Sequence, residues 1–257
     1  MSDALPLPAT VVSTSRGHRA SSHHVMTPAN HFPSRLPHLA RTLVRKLVTP
    51  RNGQARFGQY LLELEDDGAG SERPLATGLE QFLYVLDGRV RLTRDDAADE
   101  LTAGGHAYLP DDVAVSLNAV GGGARVLWIK RPYEPADGVA RPGAVIGHRD
   151  QGTFGETSVP GLVRMELIDP TDAGFDFNVS LMRFAPGTIF RVNEIHDEEH
   201  GLYVTAGLGI QFLDGVFHEV AKDDFAYIAP YCPQYFYAVG WEHAEYLLYK
   251  DVFRDGF

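Results

Sequence analysis

The chain of 257 residues holds a single cysteine, Cys232. That excludes an intrachain disulfide and any zinc site built on cysteine ligands, and it accords with a reducing cytoplasm. No apolar run approaches the roughly 18 residues needed to span a bilayer. The opening stretch MSDALPLPATVVSTSRGHRA lacks the continuous apolar core of a signal peptide. A soluble, cytoplasmic protein with no membrane partner is therefore expected. Positive charge is scarce too: 23 Lys and Arg stand against 34 Asp and Glu, a formal net charge of -11. This argues against nucleic-acid partners. It leaves a small-molecule substrate open, because one local lysine outweighs the average field. Long amphipathic segments of helical period are also missing; the nearest, SRLPHLARTLVRKL, is interrupted by Pro37.

What is present is a repeat with an offset of 119 to 120 residues. LVRKLVTP at 43–50 answers LVRMELIDP at 162–170, and LYVLDG at 83–88 answers LYVTAG at 202–207. AYLP at 107–110 lines up with AYIAP at 226–230, NAVG at 118–121 with YAVG at 237–240, and Lys130 with Lys250. A nearly constant offset over so many matches indicates two copies of one domain. Each copy is rich in short β-branched and aromatic runs punctuated by Gly, Pro, Asp or Asn. The expected fold is all-β, two tandem jelly-roll barrels in one compact chain. Residues 1–42 read as an arm, 43–135 as the N-terminal barrel, 136–160 as a connector and 161–257 as the C-terminal barrel.

The stretch RVNEIHDEEHGLYVTAGLG, residues 191–209, carries the densest chemistry. A zinc-protease helix would need H-E-x-x-H, but Asp197 occupies the position of the base, and Gly201 and a strand-like run follow at once. In a strand, Glu194 and His196 project to one face. Asp197, Glu198 and Glu199 then form a solvated turn, and His200 opens the returning strand. Two imidazoles and a carboxylate suit manganese, iron, cobalt, nickel or zinc. Gly187, Glu194, His196, His200 and Gly207 spell G-x6-E-x-H-x3-H-x6-G. This resembles the first cupin motif with its first histidine and its glutamate exchanged. The segment KDDFAYIAPYCPQYFYAVG occupies the place of the second motif and offers Gln234 as a fourth ligand. In the N-terminal copy Leu75, Thr77, Gln81 and Val115 stand at the four ligand positions, and Glu80 matches Glu199. One copy should bind metal; the other should be structural. The remaining histidines, among them His23, His24, His31, His38, His218 and His243, have no spacing partner and read as surface or packing residues.

With EIHDEEHGLYVTAGLG, PQYFYAVG and AEYLLYKD in view, the chain resembles the (S)-ureidoglycine aminohydrolases, bicupin enzymes of allantoin breakdown, over both copies. The resemblance implies Mn²⁺ in the C-terminal barrel alone, held by Glu194, His196, His200 and Gln234. It implies substrate contacts from Glu194, Gln234, Tyr246 and Lys250, with Glu194 and Lys250 in catalysis, and release of ammonia from ureidoglycine. A homo-oligomer is expected. Two other classes remain open on the residues alone: a metal-dependent cupin oxygenase, and a non-catalytic small-molecule-binding cupin. The arm, rich in His and Pro, departs most from the family.

Overall fold

The computed structural model describes residues 16–95, 97–252 and 254. Among these there is no α-helix, only three short 3-10 turns and 23 strands in four sheets. The N-terminal half pairs a seven-stranded with a five-stranded sheet, and the C-terminal half an eight-stranded with a three-stranded one. Among the described residues none of the four sheets closes on itself by backbone pairing.

The repeat is written into strand order. Gly105–Leu109, Glu80–Asp87, Ala124–Arg131, Gly58–Leu64 and Thr42–Val48 lie side by side in one half. Phe225–Ile228, His200–Ala206, Ala244–Asp251, Phe177–Phe184 and Leu162–Glu166 repeat that order in the other. These large sheets are covered on both faces, which explains unbroken apolar runs such as QFLYVL. Phe82 and Tyr84 face the core shared by the two halves, whereas Leu83 and Val85 point into the interior of their own half. Tyr203 and its neighbours Leu202 and Val204 divide in the same way.

Two details show how closely the copies correspond. Gly88 and Gly207 both have left-handed backbones, at φ 76° and 74°. A Cβ on either would strike a backbone carbonyl, that of Gly123 or His243, and would come within 2.9 Å of Ala124 Cα or 2.7 Å of Ala244 Cα. Only glycine meets both demands. The edge strands are exchanged reciprocally. His23–Met26, which precedes the first half, adds to Phe225–Ile228 of the second, and Val145–His148, which precedes the second half, adds to Gly105–Leu109 of the first.

The junction between the halves contains a buried ionic cluster. Arg131, 1% exposed, donates to Asp251 Oδ1 at 2.8 Å, and these two residues occupy equivalent repeat positions. Glu80 and Asp176 also flank Arg131, at 3.7 and 3.5 Å. Burial and the neighbouring Asp176 push the Glu80 carboxyl up to about 10, so it is protonated at neutral pH.

Candidate metal centre and substrate cavity

His200 opens the strand His200–Ala206 and pairs with Lys250 on Ala244–Asp251. Alternation along the latter strand sends Tyr246, Leu248 and Lys250 to the same side, into a cavity of about 470 Å³ in the C-terminal half. Gln234 begins the strand Gln234–Val239 of the facing sheet. Glu194 is tied to it by two backbone hydrogen bonds, 2.9 and 3.0 Å, in an isolated bridge. His196 lies beyond that bridge in a loop, so the expected strand through Glu194 and His196 is reduced to a single paired residue. All six predicted site residues nevertheless line this one cavity: Glu194, His196, His200, Gln234, Tyr246 and Lys250.

Three of the four predicted ligands converge. His196 Nε2 lies 3.3 Å from His200 Nε2 and 3.2 Å from the side-chain amide nitrogen of Gln234. Ligand atoms bonded at about 2.1 Å to one ion stand roughly 3.0–3.4 Å apart. A half-turn of the Gln234 amide presents its oxygen at the same point. Burial, then the neighbouring His196 and Lys250, hold the His200 imidazole down at about 3, so its ring is neutral and a lone pair is available. Glu194 is not drawn into this cluster. Its carboxylate instead raises the Tyr246 hydroxyl, already pushed up by burial, so that Tyr246 stays protonated. The donor set, two imidazoles, an amide and a nearby carboxylate, fits a borderline divalent ion such as Mn²⁺.

Two acids that the sequence assigns to a solvated turn have specific partners instead, Glu198 in the site and Glu199 in the protein interior. Glu198 Oε2 is 2.9 Å from His196 Nδ1, and its Oε1 is 2.8 Å from Lys250 Nζ. The approach to His196 is close but does not meet hydrogen-bond geometry. Burial alone would raise the Glu198 carboxyl; the Lys250 hydrogen bond and charge overcome this and hold it below its ordinary value. Glu199 is fully buried and accepts from the Arg56 backbone N–H at 2.9 Å and from Tyr227 Oη at 3.1 Å. Its repeat counterpart, Glu80, accepts from Tyr108 at 2.8 Å in the same way. No spacing rule distinguishes Glu198 from a surface acid; only its two partners do. Arg164, on the strand Leu162–Glu166, also lines the cavity and was not anticipated. Cys232 is buried and is not among the lining residues.

The N-terminal half shows what the same positions become without ligands. Leu75 and Val115 are packed in its interior, and Gln81 accepts from Trp128 Nε1 at 2.9 Å. Lys130, the counterpart of Lys250, lies 4.0 Å from the centre of the Trp128 ring. A cation over an indole face is a packing role, unlike that of Lys250 beside Glu198.

No family model matches the chain. An (S)-ureidoglycine aminohydrolase from Arabidopsis thaliana is 33% identical over 235 residues, 91% of this chain and 76% of that protein. An (S)-ureidoglycine aminohydrolase from Escherichia coli K12 is 31% identical over 235 residues, 90% of this chain and 88% of its own length. The crystal structure of the protein Ylba from E. coli superposes with a TM-score of 0.80 at 27% identity, covering 93% of this chain and 94% of that one. Identity at this level across nearly the whole chain, together with the shared fold, means that the chain belongs to the (S)-ureidoglycine aminohydrolase family.

Proposed function

We propose that this chain is a manganese-dependent hydrolase that releases ammonia from (S)-ureidoglycine to give (S)-ureidoglycolate in allantoin breakdown. The observation that carries this reading is the convergence of His196, His200 and Gln234 beside Lys250 in one cavity of a chain of that family. The two halves are read as tandem cupin barrels, of which only the second holds metal, in a cytoplasmic homo-oligomer.

Glu194, His196, His200 and Gln234 would hold the ion. When bound, it supplies a positive charge that anchors the substrate and polarises water. The chain's own groups account for the rest. Lys250 Nζ offers a cation to the substrate carboxylate, with Glu198 fixing where that cation sits. The protonated Tyr246 hydroxyl has a hydrogen to donate to a substrate oxygen or nitrogen. Met182, Leu202 and Phe236 wall the cavity and limit bulk water. In the reaction the bond from carbon to the amine nitrogen breaks and a water oxygen bonds to the same carbon. A proton from that water leaves with the nitrogen as ammonia, and in this reading the Glu194 carboxylate carries it. The contact of Lys250 with the substrate carboxylate, together with the Tyr246 hydroxyl, decides which face water attacks.

The test generates ureidoglycine from allantoate with an allantoate amidohydrolase and follows ammonia and product chirality. Expected is release well above the spontaneous rate, S product, and loss of activity with chelator, restored by Mn²⁺. Ammonia release no faster than the spontaneous rate, or racemic product, refutes the assignment. His200→Ala is expected to lose bound manganese; retention of full metal content would remove His200 from the ligand set.

A further inference from the structure

A second cluster of metal-ligating side chains lies away from the six residues just described. The arm forms a small hairpin in which His18 pairs with Val25 across from His23–Met26. That hairpin sits on Phe225–Ile228 of the C-terminal half, directing His23 and Val25 inward. From the facing sheet, Val216–Ala221 sends His218 and Val220 toward the same interior. The three imidazoles of His18, His23 and His218 meet there, with ring centres 4.8 to 5.3 Å apart. One nitrogen from each lies within 4.8 Å of the others.

Packing alone leaves this cluster unexplained. His23 is 2% exposed and His218 7%, and the Nε2 atom of each is buried without a hydrogen-bond partner. Orphaned buried nitrogens cost stability, and two facing each other cost more than one. Protonation offers no remedy. Burial, then the charges of His218 and His18, push His23 down to about 4, and burial with His18 lowers His218 as well. His23 is therefore neutral at physiological pH, the form in which imidazole binds metal.

The other nitrogen of His23 is already oriented as in a metal site. His23 Nδ1 lies 3.2 Å from Ser22 Oγ, which donates to Asp214 Oδ2 at 2.8 Å. A proton on Nδ1, donated to the hydroxyl, leaves the lone pair on the buried, unpartnered Nε2. A carboxylate reached through a hydroxyl is the outer-shell arrangement that fixes a ligand histidine's tautomer. His18 is exposed and provides an entry path from solvent.

We propose that His18, His23 and His218 form a second metal site, of three imidazoles with a water in the fourth position, that takes Zn²⁺ and pins the arm to the C-terminal half. Three imidazoles without thiolate or carboxylate select a borderline ion that accepts tetrahedral geometry. Zinc–nitrogen bonds of about 2.0–2.1 Å require the nitrogens to close to about 3.4 Å. The exposed position of His18 leaves its ring room to turn toward the two buried ones. His218 stands directly opposite Gln211, which lines the substrate cavity, so the two sites share one wall.

The test uses the full chain with His196→Ala and His200→Ala, which removes two ligands of the catalytic centre and makes the outcome independent of the substrate assignment. Titration with Zn²⁺ against a chromophoric chelator is expected to show one bound ion per chain, and saturating zinc to raise Tm by roughly 5–10 °C. Adding His18→Ala, an exposed position that the fold tolerates, should weaken zinc binding by about 100-fold and abolish the Tm rise. His218→Gln should do the same without opening a cavity. In the otherwise unaltered chain, His18→Ala should leave manganese content and ammonia release unchanged. Absence of tight zinc binding in the double variant, or unchanged zinc affinity after His18→Ala, would overturn the second site.

Discussion

Glu198 is the residue whose meaning changes most between sequence and structure. It touches a predicted ligand, His196, and the predicted substrate lysine at once, at 2.9 and 2.8 Å. Such a residue holds both in place and is a positioning residue. Glu198→Gln keeps the shape but removes the charge, and metal affinity is expected to fall by about 10–100-fold; a competition titration with Mn²⁺ measures it. Unchanged affinity would mean that the contact is incidental. Lys250→Met removes the cation while keeping the aliphatic stem. KM should rise by about 10-fold or more with metal content unchanged, since a charge-assisted contact contributes about 1.5–3 kcal/mol. Loss of metal along with KM would instead give Lys250 a structural role through Glu198. The ligands themselves were legible because their spacing follows a cupin-like motif, even though His196 lies in a loop rather than a strand. Glu198 was not, because an acid in a charged turn has the same sequence signature whether it faces water or a histidine.

At the scale of elements, glycine marks where the two copies turn. Gly207 and Gly187 both have positive φ, 74° and 79°, but only Gly207 lacks room for a Cβ, which would collide with the His243 carbonyl. Gly187→Ala is expected to cost about 1 kcal/mol of left-handed strain, and Gly207→Ala about 3 kcal/mol or more. Urea unfolding of both variants separates strain from collision; equal losses would contradict the collision. Strand existence was readable from the β-rich runs and from the repeat. The exchanged edge strands were not. Pairing of His23–Met26 with the distant Phe225–Ile228 depends on which sheet edge lies within reach, and no local propensity reports that. The histidine-rich arm read as peripheral for the same reason. Its His23 meets His218 only after both sheets have folded.

At the scale of the whole molecule, the halves are joined by the shared apolar core and by the buried cluster around Arg131. Glu80 in that cluster carries a proton at neutral pH, its carboxyl raised from an ordinary 4.5 to about 10. A carboxyl raised on folding stabilises fully below its unfolded value, and the contribution is lost as pH climbs through the folded one. Stability should therefore decline between about pH 4.5 and 10 on account of this group. Glu80→Gln, neutral throughout, should flatten that decline while preserving stability near neutrality. Unfolding midpoints at pH 5, 7 and 9 decide the matter, and an undiminished slope in the variant would place the titration elsewhere.

The amino-acid sequence by itself determined the all-β class, the duplication and the six residues that line the cavity. The class and the duplication are carried by periodicities, two residues along a strand or 119 to 120 along the chain, whereas the six cavity residues are marked by the cupin-like motif and the family resemblance. Only the tertiary structure decided that three ligands converge while Glu194 stays apart, that Glu198 braces the site, that the copies exchange edge strands, and that three unpatterned histidines meet. Those outcomes depend on which surfaces are brought together in space, and contacts between residues nearly two hundred positions apart leave no periodic trace in the chain.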